Sequence, residues 1–158
     1  KGYTPLSVKR KVDRQEEIGL ITESKITVRY AETDKMGIVH HSVYAVWFEV
    51  GRTDFIKQAG MPYSVMEQQG VMTPLSGLTC QFYLPAYYED ELIVETSVSK
   101  ITAARIIFAY KVKRQKDQAL LATGSTSHGF VSAKTFRPIN GKKALPEIYR
   151  ALSSGIEE

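Results

Sequence analysis

Apolar and polar positions along this chain change rhythm near residue 70. Before that point the densest apolar run is Val43-Tyr44-Ala45-Val46-Trp47-Phe48. It predicts a helix over residues 42 to 59 whose first turns are hydrophobic around the whole circumference. Such a helix belongs in an interior rather than on a surface. Gly60 followed by Met61-Pro62 stops it, because glycine accepts the left-handed cap and proline cannot continue a helix. Residues 63 to 69 predict a short second helix ending at Gly70. Beyond it the period becomes two. Leu78, Cys80, Phe82 and Leu84 alternate with Thr79, Gln81 and Tyr83, and Ile106, Phe108, Tyr110 and Val112 alternate with Ile107, Ala109, Lys111 and Lys113. With residues 92 to 98 and 120 to 131 they predict strands. Several exceed the usual length of about five or six residues.

Short connections at Ile101-Thr102-Ala103 and at residues 115 to 118 favour antiparallel pairing. A helix apolar all round, followed by long antiparallel strands, has one economical arrangement: a twisted sheet curled around the helix, an α+β fold. Near the end of the chain Leu145, Ile148, Tyr149 and Leu152 take the i, i+3, i+4, i+7 spacing behind Pro146, which predicts a short amphipathic helix. Residues 1 to 22 are poorly patterned, basic at Lys9, Arg10 and Lys11 and acidic at Glu16 and Glu17. They read as a loosely docked arm before a single domain over residues 23 to 158. Because the first residue is Lys1 rather than Met, a removed N-terminal piece is the expectation.

Composition narrows the class. The 158 residues suit one domain with a substantial core, and 43% hydrophobic with 24% charged residues is the balance of a globular protein. The single cysteine, Cys80, excludes an intrachain disulfide and any Cys-x-x-Cys motif, so a reducing cytoplasm is the simplest compartment. No apolar run reaches the length of a membrane span, and no signal-peptide core lies near the start. The basic cluster at residues 9 to 11 is followed by opposite charges and has no interleaved aromatics, which argues against a nucleic-acid arm. A net charge of +4 modestly favours a polyanionic ligand.

The chemistry concentrates in residues 30 to 44, Tyr-Ala-Glu-Thr-Asp-Lys-Met-Gly-Ile-Val-His-His-Ser-Val-Tyr. A strand-like segment over residues 26 to 30 leads into it and the apolar helix leads out. Asp34 is thereby placed in a glycine-containing turn that enters a helix N-terminus, where backbone N–H groups lack intrahelical partners and carry the positive end of the helix dipole. A carboxylate beside such donors suits attack on a carbonyl whose oxygen turns negative. Asp34 can activate water or attack directly. Taken alone, Asp followed three residues later by Gly is also ordinary turn chemistry.

Residues 30 to 44 with Glu49 and Arg52, then Tyr83-Leu84-Pro85-Ala86, residues 90 to 94, and Gly124-Ser125-Thr126-Ser127-His128 resemble the hot-dog-fold acyl-CoA thioesterases of the 4-hydroxybenzoyl-CoA thioesterase type. The resemblance covers residues 25 to 152. It implies the hot-dog fold, a long central helix wrapped by a curved antiparallel sheet. It also implies hydrolysis of an acyl-CoA thioester to the carboxylic acid and free CoA. No cofactor is implied, coenzyme A being part of the substrate. By the resemblance Asp34 is the catalytic acid and the backbone N–H of His41 polarises the thioester carbonyl, while the His41 imidazole helps to orient substrate or water. Met36 and Tyr44 then lie near the acyl pocket, Val39 and His40 border the substrate, and Gly37 lets backbone approach it. A homodimer, or a dimer of dimers, with sites between subunits is implied as well.

Other residues have simpler readings. His40 and His41 are adjacent, diverge on any regular element and have no further ligand at metal spacing, so no metal is expected. Glu49 and Arg52 are three apart on the helix and suit an ion pair there or at a subunit interface. Because some hot-dog thioesterases use a helix glutamate, Glu49 is the reserve acid. Cys80 reads as a buried structural thiol and His128 as a packed or interface residue. Lys100 and Arg105 flank a strand turn and suit either solvent or the CoA phosphates. There is no phosphate loop and no Gly-x-Ser-x-Gly elbow. Two other functions fit the same fold. An acyl-thioester hydratase or dehydratase lacks support because no His-Phe-Pro motif is present. A non-catalytic acyl-thioester binding module is disfavoured by Asp34.

Overall fold

The computed structural model describes residues 19 to 153. Most of the arm expected over residues 1 to 22 lies outside the described residues, and its end is already structured, since strand β1 spans Ile21–Thr27. A 3-10 turn at Tyr30–Glu32 follows, then helix α1 (Val43–Gln58), helix α2 (Tyr63–Gln68) and a two-residue strand β2 (Val71–Met72). The long strands are β3 (Leu75–Phe82), β4 (Glu91–Ile101), β5 (Arg105–Arg114) and β6 (Leu120–Gly129). Strand β7 (Val131–Ser132) and helices α3 (Gly141–Ala144) and α4 (Pro146–Ser153) complete the described chain.

Strands β1, β3, β4, β5 and β6 form one antiparallel sheet in the order β1-β4-β5-β6-β3, and β2 pairs with β7. Strand β1 begins before the predicted strand and ends at Thr27, because Val28 leaves the ladder. Its N–H donates to the Asp90 carbonyl and its carbonyl accepts from Glu89 N–H. Helix α1 lies across the concave face. Its Phe48 ring stacks on Tyr110, with centroids 4.4 Å apart, and Phe55 meets Phe108 edge-on. Two glycines let the layers approach. A Cβ at Gly51 would collide with Thr96 Oγ1, and one at Gly124 would collide with the Phe48 ring.

The helix is not enclosed on all sides. Val46 is 53% exposed, while Tyr44, Trp47 and Phe48 are buried. The contiguous apolar run therefore overstates the burial: α1 packs on β1, β4 and β5, and within one chain the sheet covers only part of its circumference. Cys80 is half-buried rather than enclosed, with burial pushing its thiol pKa up. Glu49 and Arg52 form no ion pair with each other. Glu49 is exposed, and the Arg52 guanidinium turns inward to the hydroxyls of Tyr63 and Tyr110. Among the described residues no helix is long and apolar enough to cross a membrane.

Candidate active site

The segment carrying Asp34 is fixed from both sides by backbone. Thr33 and Val39 form an isolated antiparallel bridge, and the loop between them is closed by Asp34 N–H to the Ile38 carbonyl at 2.9 Å and Gly37 N–H to the Asp34 carbonyl at 2.9 Å. Gly37 sits at φ 79°, the left-handed region that glycine enters without a Cβ clash. Val39 N–H then donates to the Ala86 carbonyl at 2.9 Å, which ties the loop to the β3–β4 connection.

Asp34 is half-buried. Its Oδ1 accepts the Met36 N–H at 2.8 Å, and Oδ2 has no hydrogen-bond partner among the described residues. One oxygen is thus held in an Asx-type turn and the other is left for chemistry. Six residues on, His40 N–H is taken by the Glu32 carbonyl, and Ser42 N–H by His40 Nδ1 at 3.2 Å. Val43 and Tyr44 N–H donate to the carbonyls of His40 and His41. The His41 N–H between them has no partner among the described residues. It stands at the positive end of α1, where an unpaired donor is ready for an anionic oxygen.

These groups meet in a cavity of about 350 Å³ lined by Asp34, Met36, Val39, His41 and Tyr44, together with Ile38 and the stretch from Phe82 to Pro85. Tyr44 meets Phe82 edge-on at 5.0 Å. Burial, with Cys80 adding and Arg114 opposing, pushes its hydroxyl pKa up to about 12, so it stays a neutral phenol. Of the residues singled out in the sequence, Gly37 shapes the loop without lining the cavity. His40 does not line it either: its Nδ1 lies 2.7 Å from Ser42 Oγ, which holds the ring at the helix start. Glu49 is on another part of α1 and does not reach the cavity. Lys100 near the end of the eleven-residue β4 and Arg105 at the start of β5 flank the turn between those strands, about 30 Å from the Asp34 end at strand rise. Among the described residues no group of three metal-ligating side chains occurs.

Two positioning residues escape the sequence reading. Glu32 is buried, and its Oε1 accepts Arg29 N–H at 2.8 Å while Oε2 accepts Trp47 Nε1–H at 3.3 Å. Arg114 donates to the Pro85 carbonyl at 2.7 Å, to Asp90 at 3.1 Å and to Asp117 at 3.2 Å, fastening the connection that brings Leu84 and Pro85 to the cavity. A glutamate three residues after Arg29 was the local signal for the first. For Arg114 the two partners that fasten the connection are 29 and 24 residues away, and the local pair with Asp117 three residues on carries no sign of them.

A family model described as the thioesterase-like superfamily matches residues 28 to 152. The chain belongs to the thioesterase-like superfamily. This thioesterase-like chain is 36% identical over 131 residues to YneP of Bacillus subtilis, named as an acyl-CoA thioesterase, the match covering 83% of this chain and 94% of that one. It superposes on a DHNA-CoA thioesterase from Staphylococcus aureus with TM-score 0.80 and 36% identity, covering 85% and 89% of the two chains. A hypothetical protein from Thermus thermophilus, TT1821, gives TM-score 0.76 and 38% identity over 87% and 99%. The curled five-stranded antiparallel sheet around α1 is the hot-dog fold, and the thioesterase-like chain is a thioester hydrolase.

Proposed function

We propose that this protein hydrolyses an acyl-CoA thioester at the Asp34–His41 cavity. The observation that carries the reading is the meeting of a carboxylate oxygen without a partner, Asp34 Oδ2, and an unpaired helix-start N–H, that of His41, on one apolar-walled cavity. The acyl group lies against Tyr44, Phe82 and Leu84, with its carbonyl oxygen on the His41 N–H. Asp34 Oδ2 takes a proton from water as the hydroxyl oxygen bonds to the acyl carbon. The carbonyl electron pair moves onto oxygen, where the N–H donor and helix dipole stabilise it. Collapse breaks the C–S bond, and the thiolate of CoA receives the proton from Asp34. Direct attack by Oδ2, giving a mixed anhydride that water then cleaves, uses the same oxygen and the same donor.

The working form in this reading is a homodimer or a dimer of dimers. Strand β3 is a sheet edge, exposed at Leu75, Leu78 and Phe82 to 51%, 43% and 45%, and its outer backbone groups call for a partner. Phe82 belongs both to that edge and to the cavity wall, so a copy paired there completes the site. The single half-buried thiol and the acyl-CoA substrate suit a reducing cytoplasm.

Release of free thiol from a panel of acyl-CoA substrates, with the corresponding acyl carrier protein thioesters alongside, tests the function. Turnover of CoA esters that disappears in Asp34→Asn is the expected result. Hydration of an enoyl-CoA without thiol release would replace it with the hydratase reading.

A further inference from the structure

The acyl side of the Asp34–His41 cavity is apolar apart from one group. Ile38, Val39, Phe82, Leu84 and Pro85 offer hydrocarbon, and the Tyr83 hydroxyl is already taken, 3.1 Å from Thr123 Oγ1. Asp34 and the His41 N–H serve the hydrolysis itself, and the His41 imidazole is exposed. What is left on the buried wall is the hydroxyl of Tyr44.

Tyr44 is 2% exposed, and its hydroxyl has no hydrogen-bond partner among the described residues. That oxygen is not sealed in protein either: the side-chain polar atoms that are both sealed and unpaired belong to Thr22, Gln58 and Thr96. In a residue buried this deeply, the opening onto which the hydroxyl looks is the cavity that the ring lines. The ring is held on two sides, with centroids 4.7 Å from Trp47 and 5.0 Å from Phe82, so the hydroxyl cannot swing out to bulk water. The ionisable groups that act on it are Cys80 of β3 and Arg114 of β5. It therefore stands toward the sheet, while the thioester carbon stands by Asp34 and the helix start.

In the empty cavity, water satisfies this phenol. A hydrocarbon acyl group expels that water and leaves the O–H unpaired, whereas an acyl group with an oxygen at the same place replaces the lost hydrogen bond. Isolated polar groups on an apolar wall are what orient a small ligand. A site that hydrogen-bonds a substrate oxygen discriminates strongly against the analogue lacking it. A neutral oxygen suits the position better than a second carboxylate. Arg114 is spent on Asp90, Asp117 and the Pro85 carbonyl, so a buried anion there would have no free cation to meet.

We propose that the Tyr44 hydroxyl determines acyl specificity, selecting acyl groups that carry a hydroxyl or oxo oxygen over hydrocarbon groups of the same shape. This rests on the acyl-CoA hydrolysis reading and adds the residue that chooses among acyl groups.

The test compares thiol release from CoA esters in pairs that differ by one oxygen. One series is a short straight acyl chain with a hydroxyl or oxo group moved stepwise along it. The other is a phenylacetyl group with a hydroxyl at the ortho, meta or para position, so the two series separate an aliphatic from an aromatic carrier of the same oxygen. In the wild type the best-placed oxygen is expected to raise kcat/KM about ten- to a hundredfold over its parent ester. Tyr44→Phe removes one oxygen atom and keeps the ring between Trp47 and Phe82. It is expected to lose that advantage and to hydrolyse the parent ester faster than the wild type does. An advantage that survives in Tyr44→Phe, or a wild type with no preference in either series, would overturn the proposal while the hydrolase reading stood. An equal loss on both members of a pair would make Tyr44 a packing residue and overturn it too. No thiol release from any ester would overturn the hydrolase reading and this one with it. If Tyr44→Phe fails to fold, inhibition of the wild type by the free carboxylic acids keeps the test open. The oxygenated acid is expected to bind at least about tenfold tighter than its parent, and equal inhibition by the two would overturn the proposal.

Discussion

Trp47 Nε1 lies 3.3 Å from Glu32 Oε2, and through that contact the helix supplying the His41 N–H is fastened to the turn leading into Asp34. The same carboxylate accepts the Arg29 N–H, so one buried side chain sets the distance between the two halves of the site. Glu32→Ala removes the contact of Oε2 with the exposed Arg29 guanidinium and leaves Trp47 Nε1–H and Arg29 N–H without their acceptor. Such groups cost about 1–3 kcal/mol each when they stay buried. We expect urea denaturation to show a loss of roughly that size, and kcat to fall more than KM rises, because carboxylate and oxyanion donor move apart. Glu32→Gln retains an acceptor for Trp47 and is expected to recover part of kcat. Unchanged stability and kcat in Glu32→Ala would refute the positioning role.

Asp34→Asn is expected to lower turnover at least about a hundredfold with an unchanged circular dichroism spectrum. The amide carbonyl oxygen can still accept the Met36 N–H that Asp34 Oδ1 accepts, so the loop has no reason to open. Basicity and nucleophilicity alone are removed. A folded Asp34→Asn protein with near-normal hydrolysis would return attention to Glu49, the other candidate acid.

His41→Ala is expected to cost less than Asp34→Asn, since the donor assigned to the oxyanion is main chain. The imidazole is exposed and lies 4.0 Å from the His40 ring, tilted by 33°. Its loss is expected to raise KM modestly in steady-state assays. An effect on kcat as large as that of Asp34→Asn would make the ring itself a catalyst.

Arg114→Lys is expected to lower kcat/KM by roughly ten- to a hundredfold, mostly through KM. A lysine cannot reproduce the three separate contacts of the guanidinium with Pro85, Asp90 and Asp117. The segment carrying Leu84 and Pro85 would then lose its anchor while Asp34 and His41 stayed in place. A kcat effect with unchanged KM would instead mean that Arg114 supports the helix–loop junction itself.

The reasons these residues differed in legibility are physical. Asp34 and Gly37 stood out because turn chemistry is local, encoded within a few residues, whereas His41 was singled out by the family resemblance. The strands showed in the alternation of Leu78, Cys80 and Phe82, which one face of a sheet imposes. The Glu32–Trp47 and Arg114–Pro85 contacts and the Phe82 to Pro85 wall join segments 15 or more residues apart, and a linear pattern carries no register between distant segments. Val46 misled for a related reason. Its apolar neighbours imply burial, yet what would cover it is not another part of the described chain. Arg52 was read as the partner of Glu49 from helix spacing, whereas the hydroxyls of Tyr63 and Tyr110 hold it from outside the helix.

Two buried groups away from the site give opposing pH responses. Asp54 is 6% exposed between α1 and β1, where its Oδ2 accepts the Ser24 hydroxyl. Burial, opposed by Lys57, raises its pKa from 3.8 to about 6. Between those values the unfolded carboxyl ionises while the folded one keeps its proton, so stability falls as pH rises through that window. His128 is 2% exposed, placed between the Thr73 carbonyl and Thr126 Oγ1. Burial lowers its pKa from 6.5 to about 4, with the Thr73 hydrogen bond opposing and Arg52 adding to the drop. Between those values the unfolded imidazole takes a proton that the folded one refuses, so stability falls as pH drops. Each shift is worth on the order of 2–3 kcal/mol, and the slopes have opposite signs over nearly the same range. From these two groups we expect little net change in wild-type stability between about pH 4 and pH 6. Asp54→Asn keeps an acceptor for Ser24 and removes the titration. It is expected to gain about 2 kcal/mol at pH 7 and to lose stability on acidification. His128→Gln is expected to show the reverse slope, more stable toward pH 4 than at pH 7. Urea denaturation of the three proteins across this range gives the slopes directly, and parallel curves for all three would mean that neither buried group titrates as its surroundings require.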